Sequence, residues 1–391
     1  MLRGALAITL LNLAAIPRRL GSSLVIVIGI AGVVGVLISV LAMAQGFLDT
    51  MGHTGSPDRA IVLRGGSNSE LASTISRDNA QAIADAKGVK IDPSGHAIQS
   101  AEMVAIVDQP LRQSGTTANL TFRGVGPQAF ELRPGLKLVA GRMFTPGLRE
   151  VIVGKAAQTQ FSGLDIGSHL TIRDSDWTVV GTFDCDDSHS SEMMADVDTV
   201  LAAYRRTLFQ SVTVMLQSAD AFDGFKSALT GDPRLMVEVL REPDYYARLS
   251  EQLGKILTFI GYVVGGIMAV GALFGALNTM YSAVSARTLE IATLRAIGFG
   301  AVPVLISVFV EALLLSLIGA VIGAALAWLF FNGNAVNSLS GNFTQVVFRL
   351  EVTPRLMLLG IVWAAVIGLF GGLFPALRAA RRPVVEALRA G

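Results

Sequence analysis

Cysteine is almost missing from this chain: of 391 residues, only Cys185 is one. A single cysteine excludes an internal disulfide framework and a Cys-rich metal site. Histidine is scarce too, and His53, His96, His169 and His189 are scattered without metal-ligand spacing. Charge is thin, at 16% of residues against 52% hydrophobic, where soluble domains carry roughly a quarter charged residues. A net charge of +1 leaves no basic surplus for a nucleic-acid partner. No G-x-x-x-x-G-K-[ST] phosphate loop occurs, since Gly154-Lys155 is followed by Ala156 and Gly254-Lys255 by Ile256. No Ser/His pair or second carboxylate stands where nucleophilic or acid–base catalysis needs one, so the chain is not expected to be an enzyme.

Two local patterns imitate sites. Gly124-Val125-Gly126-Pro127-Gln128-Ala129 matches G-x-G-x-x-A after an expected strand. A dinucleotide site needs a helix to start there within a βαβ unit, and Pro127 argues against that. Asp184, Asp186, Asp187, His189 and Glu192 cluster around Cys185. Their spacing fits no known cage, so they read as a solvated acidic loop, and no metal is expected.

The hydrophobic residues lie in long blocks, which indicates an integral membrane protein. Leu20 to Ala44 has no charge, and a span needs about 20 such residues. Ala42-Met43-Ala44 looks like a signal-peptidase site, but the run far exceeds an h-region of about 7–15 residues. Three more blocks follow: Ile256 to Ala286, Val302 to Phe331 and Leu356 to Leu377, the last expected to end at Pro375. The second holds Gly261-x-x-x-Gly265 and Gly271-x-x-x-Gly275, spacings that let helices approach closely, within the chain or across a dimer. The third holds one acid, Glu311, about 13 Å into the span at the helical rise. Intramembrane acids usually find partners, so structural pairing is favoured over a gate or proton role.

The expected fold is an α-helical membrane protein with four transmembrane helices. A large α+β extracytoplasmic domain of two lobes is inserted between helices 1 and 2. Residues 1–19 read as an amphipathic segment, 20–47 as the first span and 48–250 as the insert, with a strand-rich second lobe at about 141–205. Residues 251–286 are the second span with a leading helix, 287–300 a charged helix, and 301–331 the third span. A polar loop at 332–354, a fourth span at 355–377 and a tail at 378–391 complete the chain. Within the insert, Ser76 is expected to cap a helix, with Gly88 as the stop. Arg3, Arg18, Arg19, Arg287, Arg295, Arg378, Arg381, Arg382 and Arg389 all fall on one side of a four-span chain, against Arg349 in the short opposite loop. The positive-inside rule therefore puts both termini and 287–300 in the cytoplasm and the large insert outside.

The charged island AVSARTLEIATLRAIGFG, Ala283 to Gly300, stands where the chain has left the membrane and is about to re-enter it. It reads as a helix ended by Gly298 and Gly300. Leu289, Ile291, Leu294 and Ile297 are its apolar residues, and Arg287 lies one turn before Glu290, within pairing reach. A surface-anchoring interfacial helix is the plain alternative.

Arg287, Glu290, Ile291, Leu294, Arg295, Ala296, Ile297 and Gly298 form R-x-x-E-I-x-x-L-R-A-I-G. This resembles the coupling segment of MacB/FtsX-like ABC transporter permeases, which docks onto the ATPase subunit. The tail PALRAARRPVVEALR, Pro375 to Arg389, resembles the family's C-terminal pattern with one extra residue, Val385. GVGPQAF, GRMF, LDIGSHLTI and WTVVGTF resemble parts of the MacB-like periplasmic domain. The resemblance implies a stand-alone permease subunit of the type VII class in the bacterial inner membrane, with the large domain periplasmic. It implies a cytoplasmic ATPase partner that holds the ATP and Mg, a second permease copy, and surrounding lipid. Motion would pass from Arg287, Glu290, Ile291, Leu294, Arg295, Ala296 and Gly298 to the outer domain, most simply for export with a periplasmic adaptor. Lipoprotein extraction is a variant, an FtsX-like regulator of cell-wall hydrolases an alternative, and a receptor without ATPase a third class.

Overall fold

The computed structural model describes residue 9 and residues 20–185, 187–339 and 344–381. The expected amphipathic segment 1–19 (Thr9 apart), the end of the tail from 382, and Asp186 lie outside the described residues. Helix α1 is Leu20–Gly52. Then come β1 (Arg59–Arg64), α2 (Arg77–Ala84), β2 (Gln99–Pro110), β3 (Thr117–Val125), α3 (Ala129–Leu132), β4 (Lys137–Gly141) and β5 (Glu150–Gly154). They are followed by α4 (Lys155–Gln160), β6 (His169–Ile172), β7 (Ser175–Asp184), β8 (Glu192–Asp196), α5 (Val197–Ala203), β9 (Ser211–Met215), α6 (Phe222–Thr230) and β10 (Val237–Arg241). The chain ends with α7 (Glu242–Ala286), α8 (Thr288–Ala296), α9 (Ala301–Phe331), β11 (Ala335–Leu339), β12 (Gln345–Arg349) and α10 (Pro354–Arg381). Helices α1, α7, α9 and α10 are long and apolar enough to cross a membrane, and the large α/β region lies between the first two.

The chain forms two compact units. One comprises Gly46–Gly254 and Ala335–Arg349. It is built on a ten-stranded sheet in the order β10-β1-β9-β2-β3-β8-β5-β7-β4, with β6 against β7. Most neighbours are antiparallel, but β3 runs parallel to β8 and β5 to β7. The β3–β8 ladder joins the strands of 141–205 to the earlier ones, so the two strand-rich lobes share one sheet. Strand side chains alternate between faces. Val151, Val153, Phe122 and Met193 therefore enter one large apolar core with Ile83, Val200 and Phe225 from the helices. Ile152, Met194, Val180 and Phe183 form a smaller cluster on the other face. Ser76 does cap α2, its Oγ accepting from Asn79 N at 3.1 Å. The glycine pattern at 124–129 opens no long helix, because α3 is a single turn and Ser100 Oγ takes the Gly126 N–H instead.

The stretch expected as a polar loop at 332–354 contains a hairpin, with Val336 opposite Phe348. Val346 and Phe348 alternate inward along β12, and the Phe348 ring stands edge-on to Phe47 at 5.6 Å. That period-two burial makes 335–349 a part of the sheet-bearing unit.

The other unit holds the described residues of Met1–Gln45, Lys255–Asn334 and Leu350–Gly391. Its core runs through Ile30, Val34, Ile38, Val308, Ala312, Ala364 and Ala376. Helix α10 continues through Pro375 to Arg381 rather than ending at the proline. Proline in a helix leaves the carbonyl four residues back without its donor, here that of Gly371. Close packing falls also on glycines outside the two G-x-x-x-G pairs. A Cβ on Gly319 would come within 2.7 Å of the Val27 carbonyl, and Gly323 meets Ala31 as tightly. Gly368 and Gly372 face Ser316 and Ala312.

Candidate functional site

The charged helix α8 begins where α7 breaks at Arg287, whose backbone (φ −100, ψ 12) leaves the helical basin. It stops at Gly298, with φ +107. Phe299 N donates to Leu294 O at 3.1 Å and Gly298 N to Arg295 O at 3.2 Å, the hydrogen-bond pair of a Schellman stop. A side chain at that φ is strained, so this glycine sets where the helix ends and where α9 can begin.

Arg287 turns into the helical unit. Its Nη2 donates to Glu311 Oε1 at 2.7 Å and its Nη1 to Glu311 Oε2 at 2.8 Å. Both residues are nearly buried, at 6% and 4% exposed. The acid inside the third span is thus gripped by Arg287, the first residue of the R-x-x-E-I-x-x-L-R-A-I-G motif. Ile291 and Leu294 also face inward and line a cavity of about 20 Å³ with Arg287, Glu311, Val304 and Val308. Glu290, Ala296 and Gly298 are exposed, and Arg295 is half-buried. The exposed apolar side chains of the helix are Leu289 and Ile297, at 51% and 72%. The apolar residues of the island therefore divide into an inward pair, Ile291 and Leu294, and an outward pair, Leu289 and Ile297. Helical period separates them; the sequence alone could not say which face was which. Nearby, Arg378 of α10 lies over the Tyr281 ring at 5.5 Å.

Of the expected packing glycines, Gly261 meets Leu41 and Val40, and Gly265 meets Leu37, all on α1 of the same chain. A Cβ on Gly271 or Gly275 would meet nothing within 4 Å among the described residues.

The sheet-bearing unit holds a second set of charges, which the sequence reading missed. Arg123 is 2% exposed and grips Glu192 with Nε at 2.7 Å and Nη2 at 3.0 Å. Its Nη1 reaches Glu70 at 2.8 Å and Glu102 at 2.9 Å. Arg133 donates to Glu102 at 2.6 Å and lies 3.6 Å from Glu242, which Arg59 also meets at 2.7 Å. Burial alone would push Glu102 up, but Arg133 and Arg123 outweigh it and hold its carboxyl at about 2. The acidic cluster at 184–192 is not a solvated loop: Ser188–Ser191 is a buried turn, and His189 is 1% exposed. His189 Nδ1 sits 3.0 Å from Asp187, and Nε2 sits 3.2 Å from the Tyr246 hydroxyl. Burial disfavours the imidazolium, yet the Asp187 carboxylate raises the histidine above its ordinary value. In the sequence, a buried charge on a strand looks like a solvent-facing one. The only hint was that Glu102, Arg123 and Glu192 alternate with core residues Met103, Phe122 and Met193.

The family description "MacB-like periplasmic core domain" matches residues 22–231, and "FtsX-like permease C-terminal" matches 262–384. The macrolide export ATP-binding/permease protein MacB of Pasteurella multocida is 28% identical over 309 residues, covering 71% of this chain and 44% of that protein. The MacB protein of Bordetella avium is 25% identical over 415 residues, covering 99% of this chain and 60% of that protein. The uncharacterized ABC transporter permease YknZ of Bacillus subtilis is 25% identical over 207 residues, covering 51% and 49%. The chain thus spans about half the length of these curated relatives. Among solved structures, the periplasmic region of MacB from Actinobacillus actinomycetemcomitans aligns with 54% of this chain and 97% of that one, at 14% identity and a TM-score of 0.36. The extracellular domain of the noncanonic ABC-type transporter YknZ aligns with 46% and 99%, at 16% identity and a TM-score of 0.34. With one description covering the first span and the α/β domain and the other covering the three later spans, the chain belongs to the MacB/FtsX-like family of ABC transporter permeases.

Proposed function

We propose that this chain is the non-catalytic permease of an ATP-driven exporter that works by mechanical transmission. A cytoplasmic ABC ATPase binds ATP and Mg and docks on α8. The spans of a permease pair, embedded in the lipid of a bacterial inner membrane, carry the motion to the periplasmic domain. That domain hands a substrate onward, with a periplasmic adaptor as receiver. Both termini and α8 lie in the cytoplasm, consistent with the arginine distribution.

The observation that carries this reading is the geometry of α8. It presents Leu289, Glu290 and Ile297 outward while its first residue is tied by two charge-assisted hydrogen bonds to Glu311 in the next span. A helix with an exposed apolar pair and a rigid root suits a lever better than a surface anchor, whose apolar face would be continuous. Mild-detergent extraction from native membranes, with mass spectrometry of what co-purifies, tests it. An ABC ATPase with an adaptor supports the exporter. An ATPase with a cell-wall hydrolase regulator supports the switch instead. No ATPase from a preparation that keeps the permease pair intact removes the coupling role.

A further inference from the structure

The sheet-bearing unit is joined to the rest of the chain through three pieces: the end of α1 from Gly46, the start of α7 up to Gly254, and the hairpin Ala335–Arg349. All three meet one short segment. Thr54, just past α1, donates from Oγ1 to Ser188 Oγ and accepts from Ser188 N, both at 3.1 Å. Tyr246 of α7 meets His189, hydroxyl to Nε2 at 3.2 Å and ring edge to ring face at 5.7 Å between centroids. Val347 N of the hairpin donates to Ser191 Oγ at 2.9 Å. Four consecutive residues, Ser188–Ser191, are 1–7% exposed and give one side chain to each connection.

The same segment is fixed to the sheet. The next residue, Glu192, opens β8 and is held from two sides by Arg123 of β3. Ser190 Oγ accepts from Ala156 N at 3.3 Å, and the backbone of Ser190 lies so close to Gly154 that no Cβ would fit there. A cavity of about 20 Å³ lies at the meeting point, lined by Met51, Leu249 and Gln345 from the connections and by Arg123 and Glu192 from the sheet. Buried ion pairs add little net stability against apolar replacements. What Arg123 contributes is connection: one guanidinium holds Glu192 together with Glu70 and Glu102, which lie on different elements.

We propose that Ser188–Glu192 is the junction where movement of the three connections is combined and passed to the sheet, with His189 and Ser191 as its positioning residues. This rests on the reading of the chain as a mechanical permease. It adds that the outer domain is driven through one internal point rather than separately by each connection. Packed, bistable contacts of this kind transmit discrete shifts.

Hydrogen–deuterium exchange on the full chain in lipid nanodiscs, with its co-purifying ATPase, tests the junction. Peptides are compared without nucleotide and with Mg-ATP plus vanadate. The wild type should change in α8 and in β3 and β8. His189→Gln should keep the change in α8 and lose it in β3 and β8, with nucleotide-free protection of those strands retained. Ser191→Ala, which removes only the acceptor for Val347, should do the same, and it carries the test should His189→Gln fail to fold. If a folded His189→Gln and Ser191→Ala both pass the nucleotide response to β3 and β8 undiminished, the junction is wrong. If the wild type itself shows no response anywhere, the mechanical reading falls and the junction with it.

Discussion

Arg287, at the break between α7 and α8, and Glu311 on α9 form a two-pronged ion pair, at 2.7 and 2.8 Å. Removing one partner of a buried pair strands the other charge, at a cost of roughly 3–5 kcal/mol. Glu311→Gln should therefore lower the unfolding midpoint of the detergent-solubilised chain strongly. The double change Arg287→Leu with Glu311→Leu should restore much of it while nucleotide-driven coupling stays lost. Full coupling in a stable double-leucine chain would show that the pair is only packing.

Gly298 sits at φ +107 in the stop of α8. Valine there should cost roughly 1–3 kcal/mol locally. Faster amide exchange at Phe299, which donates to the Leu294 carbonyl of α8, is the expected sign. Unaltered protection would mean that the stop is set elsewhere.

His189 faces Asp187 on its own turn, Tyr246 on α7, Glu192 on β8 and Arg133 beyond α3. Its pKa is raised in the fold. The stability it contributes is complete below the ordinary value of about 6.5 and is lost as pH rises through the raised one. Thermal unfolding of the full chain from pH 6 to 9 should show that decline, and His189→Gln should flatten it. An equal slope in both proteins would assign the titration to another group.

Cys185 is pushed far up by burial and by the Asp187 carboxyl, whose Oδ1 lies 3.1 Å from its Sγ. The thiolate is the reactive form. Iodoacetamide at pH 8 should modify the folded chain far more slowly than the denatured one. Equal rates would show that the thiol is open to solvent.

Gly323 lets α9 touch the Ala31 backbone of α1, whereas a Cβ on Gly271 would meet nothing within 4 Å among the described residues. Gly323→Leu should lower the unfolding midpoint, overpacking of this kind costing about 1–3 kcal/mol or more. Gly271→Leu should leave the midpoint unchanged. A reversed order would mean that the helices pack in another register.

The spans were readable because length and absence of charge are one-dimensional properties. So was the stop at Gly298, since glycine after a helical run has a local meaning. Which glycines pack was not: Gly271 and Gly319 look alike in sequence, and only the neighbouring helix distinguishes them. Ile291 and Leu294 were visible as apolar, but the face they occupy depends on where Arg287 breaks the helix. The buried charges escaped for a deeper reason. Arg123 finds Glu70, Glu102 and Glu192 from distant parts of the chain, and nothing local marks a strand arginine as interior. Hairpin β11–β12 was hidden because its apolar residues serve a sheet-bearing unit far away in sequence.

The strand order has a bearing on how the protein is made. Strand β1 lies between β9 and β10, so the first strand to leave the membrane waits for the last two of its sheet before either of its edges is covered. Pairings so distant in sequence form slowly. A chain halted or clipped short of Ser211 leaves β1 with both edges bare, and one cut before Val237 still leaves one. Such edges accept any strand that comes by. During synthesis, the hazard lies in the long interval between the arrival of Arg59–Arg64 and that of Val237–Arg241, and delivery of an unbroken chain decides whether the domain closes on itself or on a neighbour.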